Sequence, residues 1–344
     1  MRRGHGQAED PVGQAAQNGH RNSSACSTLN VRLRRVISVL DAPSNLGLRP
    51  PREGHEPGVR GLARALREHG IAGRAGAEDA GRVDPPPYVF GPDHTTGYLN
   101  GPALAEYSAR LAARVGGLLD AGRFPLVLGG DCSILLGPML ALRARGTYGL
   151  AHLDGHDDYS PRLDPAAHAG RLTAGGLALG LVTGHGPGAL TDLDGLRPYV
   201  AEEHVAHIGV QREPEDHADS DLAAFDTSRI DRYPIEYVRE HGADAAARAA
   251  RAHLEDAPIE GFWIHLDADI LDRSVMPAVD SPNPDGLSFA ELTSVLATLL
   301  ASPRAVGLHV GIYDPELDPD GTAGAALTSA LTTALTTASA DAPP

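Results

Sequence analysis

Short apolar runs that alternate with helical stretches constrain the fold of this chain more than any other feature of its sequence. The runs have the length of buried β-strands, and the stretches between them carry apolar residues at the i, i+3, i+4 spacing of amphipathic helices. Because apolar strands need cover on both faces, the pattern predicts a three-layer α/β/α sandwich around a mainly parallel sheet. Strands are predicted at 36–40, 124–129, 148–154, 204–210, 261–267 and 305–311, and helices at 102–121, 133–145, 241–255 and 288–301.

The chain divides into a short polar start and a long patterned remainder. Its 344 residues are enough for one large α/β domain or two ordinary ones. No linker or internal repeat interrupts residues 35–340, so a single domain is predicted there. Residues 1–34 are rich in Gly, Gln, Asn and Ser and have no apolar period, which indicates a disordered N-terminal extension.

Charge and cysteine content exclude several functions. All 29 basic residues are arginine, so no lysine can form a Schiff base, anchor pyridoxal phosphate or bind phosphate in a P-loop. The formal net charge of −16 argues against a nucleic acid or an anionic membrane as partner, because phosphate groups attract clustered cations. Two cysteines, Cys26 and Cys132, do not suggest a disulfide framework, and no apolar run of roughly 18 residues occurs. A soluble cytoplasmic protein is therefore expected.

Three of the predicted strands end in loops rich in glycine or acidic residues. Ligands of parallel α/β sheets bind at the carboxyl ends of strands, so these loops are the first candidates for a functional site. The first loop is the turn 129–133, in which two glycines allow a tight reversal that brings Asp131 or Cys132 over the sheet edge. On its own this turn is weak evidence, because a cysteine after a buried strand is more often a small core residue than a ligand.

The second loop contains three possible metal ligands within five residues. Asp154, His156 and Asp158 follow the strand at 148–154, and alternation would carry all three to one side if the chain stays extended. Oxygen and imidazole donors that converge in this way suit a hard or borderline divalent cation. The alternative interpretation is an acidic turn whose aspartates cap a helix.

The third loop places two carboxylates among apolar neighbours. Asp267 and Asp269 share one side of the chain at the end of the strand at 261–267. Burying two unpaired carboxylates close together is so unfavourable that a bound cation is expected between them. With the second loop, they supply four carboxylates and one imidazole, which is a ligand set for two metal ions bridged by carboxylates.

In this order and at these separations, the three loops resemble the ureohydrolase family of arginase, agmatinase and formimidoylglutamase. The family signatures are a Gly-Gly-Asp-His-Ser turn, an Asp-Ala-His-x-Asp strand end and an Asp-x-Asp-x-x-Asp strand end. The resemblance extends from about Val36 to about Pro319. It implies an arginase-like fold with a parallel sheet of about eight strands, two Mn²⁺ ions per subunit and a homo-oligomer, often a trimer or hexamer.

The resemblance also implies a role for each candidate ligand. Asp154 and Asp267 would bridge the two metal ions, and His156 and Asp269 would complete one of the two sites. Two metal ions at this position would lower the pKa of a water molecule and so supply hydroxide as the nucleophile.

Asp158 and Cys132 would complete the second metal site, and here the chain departs from the family. The family usually has histidine at the position of Cys132. A thiolate is a softer ligand than imidazole, so it could weaken the preference for Mn²⁺, favour Zn²⁺ or Fe²⁺, or leave the site labile. The alternative is a cysteine that packs in the core and a second site that is depleted of metal.

Two further positions bear on catalysis. His168, ten residues after Asp158, resembles the family histidine that is linked to proton transfer, although it could equally be a surface loop histidine. Ile312 stands where the guanidinium-binding members have a glutamate, and Asp314 or Glu316 could replace that carboxylate if the loop is displaced.

The resulting expectation is a dinuclear metal-dependent hydrolase that cleaves a non-peptide C–N bond in a small guanidino or amidino compound. The resemblance does not imply that arginine is the substrate, because residues 159–161 lack the arginase residues associated with the amino-acid end of arginine. Two alternatives remain open. One is an N-hydroxyguanidino, formimino or amide substrate, and the other is a metal-binding family member without turnover.

Overall fold

The structure, a computed structural model, describes residues 35–211 and 222–340. Within them, eight strands form one sheet in the order β2-β1-β3-β8-β7-β4-β5-β6, and each pair of neighbours is parallel. The predicted parallel α/β architecture is thereby confirmed. The strands are β1 Val36–Asp41, β2 Glu78–Arg82, β3 Arg123–Leu128, β4 Tyr148–Leu153, β5 Val205–Ile208, β6 Asp231–Tyr233, β7 Gly261–Asp267 and β8 Ala305–Gly311.

All six strands predicted from apolar runs are present, whereas β2 and β6 are not predicted by the sequence. Both lie at the edges of the sheet. β2 is a polar segment in which Ala80 alone is buried, and β6 has three residues. An edge strand needs one neighbour and little apolar surface, so main-chain pairing rather than side-chain pattern defines it.

Helices flank the sheet, and β7 near its centre is buried along its whole length, which requires cover on both faces. None of the helices in the part of the chain that the structure describes is long and apolar enough to cross a membrane. The α-helices are α1 Leu62–Glu68, α2 Ile71–Arg74, α3 Gly101–Asp120, α4 Leu136–Arg143, α5 Ala178–Val182, α6 Gly188–Thr191, α7 Leu222–Thr227, α8 Ile235–His241, α9 Ala243–Asp256, α10 Phe289–Leu300 and α11 Thr322–Ala340.

The helix α10 illustrates how the sequence pattern becomes structure. Ser288 accepts a hydrogen bond from the backbone N–H of Glu291, and the Glu291 carboxylate accepts one from the backbone N–H of Ser288. This reciprocal cap satisfies N–H groups that the first turn of a helix leaves without partners. Leu292, Val295 and Leu299 then place one buried apolar face along the helix.

The sheet order brings together loops that are far apart in the sequence. The three strands that end in the candidate loops are β3, β4 and β7, and with β8 they form the central run β3-β8-β7-β4. Because all strands are parallel, their carboxyl ends meet at one edge of the sheet. The predicted disordered extension, 1–34, lies outside the described residues, and the single-domain extent of 35–340 stays a prediction.

Candidate metal centre

The turn after β3 separates a structural aspartate from a site-facing cysteine. A Cβ at Gly130 would lie 1.5 Å from the carbonyl oxygen of Ser44, so this close backbone approach requires glycine. The Asp131 carboxylate accepts N–H groups from Gly47 at 3.1 Å and from Ser133 at 2.8 Å. Asp131 therefore holds the turn together, and Cys132 is directed towards the aspartates of β4 and β7.

At the end of β4 the three candidate ligands converge through a turn. The Asp154 Oδ1 atom accepts the backbone N–H of His156 at 2.7 Å, and Asp158 has a left-handed backbone with φ of 45°. The backbone is therefore not extended here, in contrast to the path expected from side-chain alternation. The side chains still converge because this hydrogen bond and the positive φ reverse the chain locally.

The loop after β7 is tied to the loop after β4. Asp267 Oδ1 accepts the backbone N–H of Asp269 at 2.8 Å, and Asp269 Oδ1 accepts that of Gly155 at 3.2 Å. Asn283 donates to the carbonyl of Asp269 at 3.1 Å. A Cβ at Gly155 would lie 2.1 Å from Asn283 Nδ2, so glycine permits the two loops to approach.

The candidate ligands meet around one carboxylate, Asp154. Donor atoms within 4.8 Å of one another form three overlapping groups, and Asp154 belongs to each of them. All six ligands expected from the sequence are included, together with His152 and His265, which the sequence analysis did not identify. The groups are Cys132, Asp154, His265 and Asp267; His152, Asp154 and Asp158; and Asp154, His156 and Asp269.

Two unlike sets of donors flank Asp154. We call His156 and Asp269 the imidazole half, since His156 Nδ1 lies 2.9 Å from Asp269 Oδ2. We call Cys132, Asp158 and Asp267 the thiol half. There the Cys132 thiol donates to Asp267 Oδ2 across 2.7 Å.

The two halves differ in electrostatics. Burial by itself would raise the pKa of Asp269, but the neighbouring His156 holds it below its usual range. In the thiol half, burial and then the carboxylate of Asp269 raise the pKa of Asp267 well above its usual range. Burial and then the nearby carboxylates raise the pKa of the Cys132 thiol in the same way. The imidazole half thus pairs its carboxylate with a basic side chain, His156, whereas the three members of the thiol half are all acidic groups.

A cation fits this set of donors. Burial and neighbouring aspartates raise the pKa values of Asp154 and Asp158 well above the usual range. The Asp154 Oδ2 atom is buried and makes no hydrogen bond to any residue that the structure describes. Buried carboxylates with too few partners are costly, and divalent metal ions are the ordinary compensation for such a cluster.

The end of β8 gives no carboxylate at the position where the sequence analysis looked for one. Ile312 is buried there with φ of 71°, an unusual backbone for a β-branched residue. The Asp314 carboxylate accepts N–H groups from Gly58 at 3.1 Å and from Glu316 at 2.8 Å. Glu316 itself is paired with His55 at 2.8 Å. Both carboxylates are therefore engaged with the chain.

A different carboxylate lies beside the imidazole half. Asp280, in the loop after β7, reaches solvent. Surrounding protein atoms and then the charge of Asp269 nevertheless raise the pKa of its carboxyl to about 6, against the nearby His156, which lowers it. The loop sequence around Asp280 contained no signal that separated it from other acidic loop residues.

His168 is the predicted site residue that lies outside the three donor groups. It ends a short 3-10 turn, Pro165–His168, which Asp164 caps by accepting the N–H of Ala166 at 2.9 Å. The side chain is half-buried. Its part in proton transfer stays a prediction.

Four histidines lie in a row one layer below the aspartates. They occupy neighbouring strands at matched positions and are fully buried. Burial lowers the pKa of each, to about 3 for His207 and for His265. The sequence contained a signal for them, because each of these four strands has a histidine one or two positions before its last residue. The four are His207 of β5, His152 of β4, His265 of β7 and His309 of β8.

Comparison with known proteins agrees with this site. A sequence profile of the arginase family matches residues 36–336. The chain belongs to the arginase family. The resemblance drawn from the three loops is thereby confirmed, and so is the prediction of a metal-dependent hydrolase of C–N bonds in amidino compounds.

Individual members of the family differ in the activity for which they are named. The arginase of Brevibacillus brevis is 30% identical over 273 residues, covering 75% of this chain and 84% of that protein. The formimidoylglutamase of Nocardia farcinica is 30% identical over 249 residues, covering 69% and 71%. The crystal structure of Bacillus caldovelox arginase is 26% identical and superposes with a TM-score of 0.76, covering 88% of this chain and 98% of that one.

Proposed function

We propose that this arginase-family enzyme is a dinuclear metallohydrolase that releases urea or a related product from a small guanidino or amidino compound. The observation that carries the proposal is the sharing of Asp154 by three overlapping groups of buried donor atoms. A carboxylate with further donors on both sides can be shared by two neighbouring cations.

In this proposal Asp154 and Asp267 are shared between two metal sites. His156 and Asp269 complete one site, and Asp158 and Cys132 complete the other. Bound divalent ions supply Lewis acidity and lower the pKa of water at the site. The chain's own contribution is to hold the donors in place through the backbone hydrogen bonds of the two loops.

We propose Mn²⁺ as the metal, with Zn²⁺ or Fe²⁺ as possible occupants of the thiol half because of Cys132. Metal analysis of the purified protein beside Cys132→Ala tests the assignment. Two equivalents in the wild type that fall to one in Cys132→Ala are expected. If Cys132→Ala binds as many metal ions as the wild type, the Cys132 thiol is not a ligand.

His168 is proposed to deliver a proton to the departing amine, because such a leaving group needs one. Its place in the loop that follows Asp158 and its partial exposure support this role. His168→Ala should lower kcat by about 10²-fold or more with metal content unchanged. An effect on thermal stability alone would contradict the role.

The substrate is proposed to differ from arginine. A buried Ile312 in place of a glutamate supports, as the alternative to an ordinary guanidino compound, an N-hydroxyguanidino, formimino or amide substrate. Assays with added Mn²⁺ that measure urea, hydroxyurea, formamide and ammonia across such a panel distinguish these classes. Turnover of arginine at a rate comparable to the best panel member would overturn this part.

The buried Ile312 also favours a second candidate function, a metal-binding protein without turnover. It predicts stoichiometric metal with no product from any compound in the panel. It further predicts that His168→Ala changes thermal stability and leaves metal content as it is.

We also propose a cytoplasmic homo-oligomer, a trimer or hexamer, as the resemblance implies. Analytical ultracentrifugation of the metal-loaded protein tests the assembly. A monomer at micromolar concentration would contradict it.

A further inference from the structure

The row of buried histidines contains a chain of hydrogen bonds whose direction can be deduced. It begins at Trp263 on β7, the sole tryptophan of the sequence. Gly307 on β8 faces it, and a Cβ there would lie 2.0 Å from the indole ring, so glycine makes room for the tryptophan. The indole Nε1 lies 2.8 Å from His309 Nδ1, and His309 Nε2 is within hydrogen-bonding distance of His265 Nδ1.

The indole determines the tautomer of both imidazoles. An indole N–H can only donate, so His309 Nδ1 must accept and His309 is neutral with its proton on Nε2. That Nε2–H then donates to His265 Nδ1, which must likewise accept. His265 is therefore neutral too, and its proton is on Nε2.

The last N–H of this hydrogen-bond chain, on His265 Nε2, faces the shared carboxylate of Asp154. His265 Nε2 lies 3.6 Å from Asp154 Oδ2, and both atoms are buried without a hydrogen-bond partner among residues 35–211 and 222–340. An N–H donor that faces a carboxylate oxygen across this distance needs a shift of a few tenths of an ångström to bond it. His152 lies on the other side of His265, its ring stacked at 4.3 Å, and its Nε2 is 3.9 Å from the same oxygen.

We propose that Trp263, His309 and His265 form a one-way hydrogen-bond chain that presents an N–H to Asp154 Oδ2, so that His265 is a positioning residue for the shared metal ligand and not a ligand itself. The effect of this hydrogen-bond chain on metal affinity rests on the proposed dinuclear site. Donors that orient a ligating carboxylate commonly change metal affinity by about 10- to 100-fold when they are removed.

The direction of the hydrogen-bond chain also decides whether His265 is a metal ligand or a positioning residue. As a metal ligand, His265 would need a free lone pair on Nε2, and the hydrogen bond from His309 would then face a protonated Nδ1. The indole excludes that arrangement, because it requires His309 Nε2 to donate.

The first test is the tautomer of His265 in the intact protein. Nitrogen-15 NMR of histidine-labelled protein, metal-free and loaded with diamagnetic Zn²⁺, reports which ring nitrogen is protonated, with His265→Gln and His309→Gln used for assignment. A protonated Nε2 at His265 and at His309 in both states is expected. A deprotonated His265 Nε2 in either state would overturn the proposal. The metal-free measurement does not depend on turnover or on metal stoichiometry, so its failure is distinct from failure of the proposed function.

The second test uses substitutions that keep or remove the direction of the chain. In His265→Gln the amide oxygen can accept from His309 and the amide N–H can donate to Asp154, so Mn²⁺ affinity measured by chelator competition should stay within about threefold of the wild type. His265→Leu and Trp263→Phe should each weaken it by about tenfold or more. Loss of one metal equivalent in His265→Gln, or unchanged affinity in both His265→Leu and Trp263→Phe, would overturn the proposal.

A matched control distinguishes loss of the hydrogen-bond chain from loss of core packing. Phe262 is fully buried next to Trp263 in β7, where alternation directs it to the opposite face of the sheet. Phe262→Leu should lower the thermal midpoint and leave Mn²⁺ affinity unchanged. If it weakens the affinity as much as Trp263→Phe does, general loosening of the sheet explains both and the proposal is wrong.

Discussion

The imidazole half and the thiol half of the centre hold the same kind of carboxylate in different ways. In the imidazole half a histidine lies 2.9 Å from Asp269 and lowers its pKa, so the pair is close to neutral without a metal. In the thiol half the donors to Asp267 are a protonated thiol and the backbone N–H of Asp269, both uncharged, and its pKa is raised. The difference suggests that the thiol half depends more strongly on a bound cation, because it has no cation of its own.

The largest expected effect comes from removing the carboxylate that both halves share. Asp154→Ala should abolish binding of both metals and lower activity by about 10³-fold or more, since several kcal/mol of electrostatic stabilisation would be lost. Metal analysis and initial rates measure this. Asp194→Asn, at an exposed aspartate away from the three donor groups, is the control and should change neither. One metal retained in Asp154→Ala would show that the halves are independent.

The pH dependence of the metal-free protein should reveal the imidazole half. Burial alone would lower the pKa of His156, but the Asp269 carboxylate raises it to about 9. A raised histidine pKa means that the folded state binds the proton more tightly than the unfolded state. The resulting stability is fully present below about pH 6.5 and is lost as the pH rises towards 9.

Chemical denaturation of metal-free protein between pH 6 and 9 measures this loss, which should amount to roughly 3 kcal/mol. His156→Gln should remove most of the dependence in that window. A metal-free wild type whose stability rises with pH over the same range would contradict the ion pair.

A smaller effect is expected at the loop contact that supports the imidazole half. Gly155→Ala places a Cβ 2.1 Å from Asn283 Nδ2 and 2.9 Å from the Asp269 carbonyl, which should cost about 1–3 kcal/mol of stability. Thermal unfolding measures it. Gly73→Ala in α2 is the matched control and should be neutral or slightly stabilising, because no described atom outside its own helix turn lies within 4 Å of the new Cβ. Equal effects of the two would show that the loop contact is not tight.

The smallest effect is expected when the thiol half is made to resemble the imidazole half. Cys132→His replaces a soft donor by an imidazole, and the relative affinity for Mn²⁺ over Zn²⁺ should rise by about tenfold. Competition between the two metals, followed by metal analysis, measures the ratio. No change in preference would indicate that Cys132 does not contact the metal.

The candidate loops could be found from the sequence because strand ends are local features. Asp154, Asp267 and Asp269 each follow an apolar run, and such runs are recognisable without knowing their neighbours. The edge strands β2 and β6 were missed for the converse reason, since only pairing with β1 and β5 defines them. The assumed extended path through Asp158 was also wrong, because a left-handed residue is invisible to side-chain alternation.

The contacts among the buried histidines could not be predicted from the individual strand sequences. His152, His265 and His309 could each be read as an ordinary buried residue, and only the strand order makes them neighbours. The direction of their hydrogen bonds depends on one indole in a matched register. No property of a single strand contains that information.

The sequence by itself determined the parallel α/β architecture, the arginase-family membership and the residues at the strand ends, because periodicity and motif order are properties of the linear chain. Tertiary structure alone decided which donors share Asp154, how the two halves differ and which way the buried imidazoles donate. Those properties follow from distances and burial between strands more than 100 residues apart in sequence, such as β4 and β7. Coulomb and hydrogen-bond energies depend on these distances.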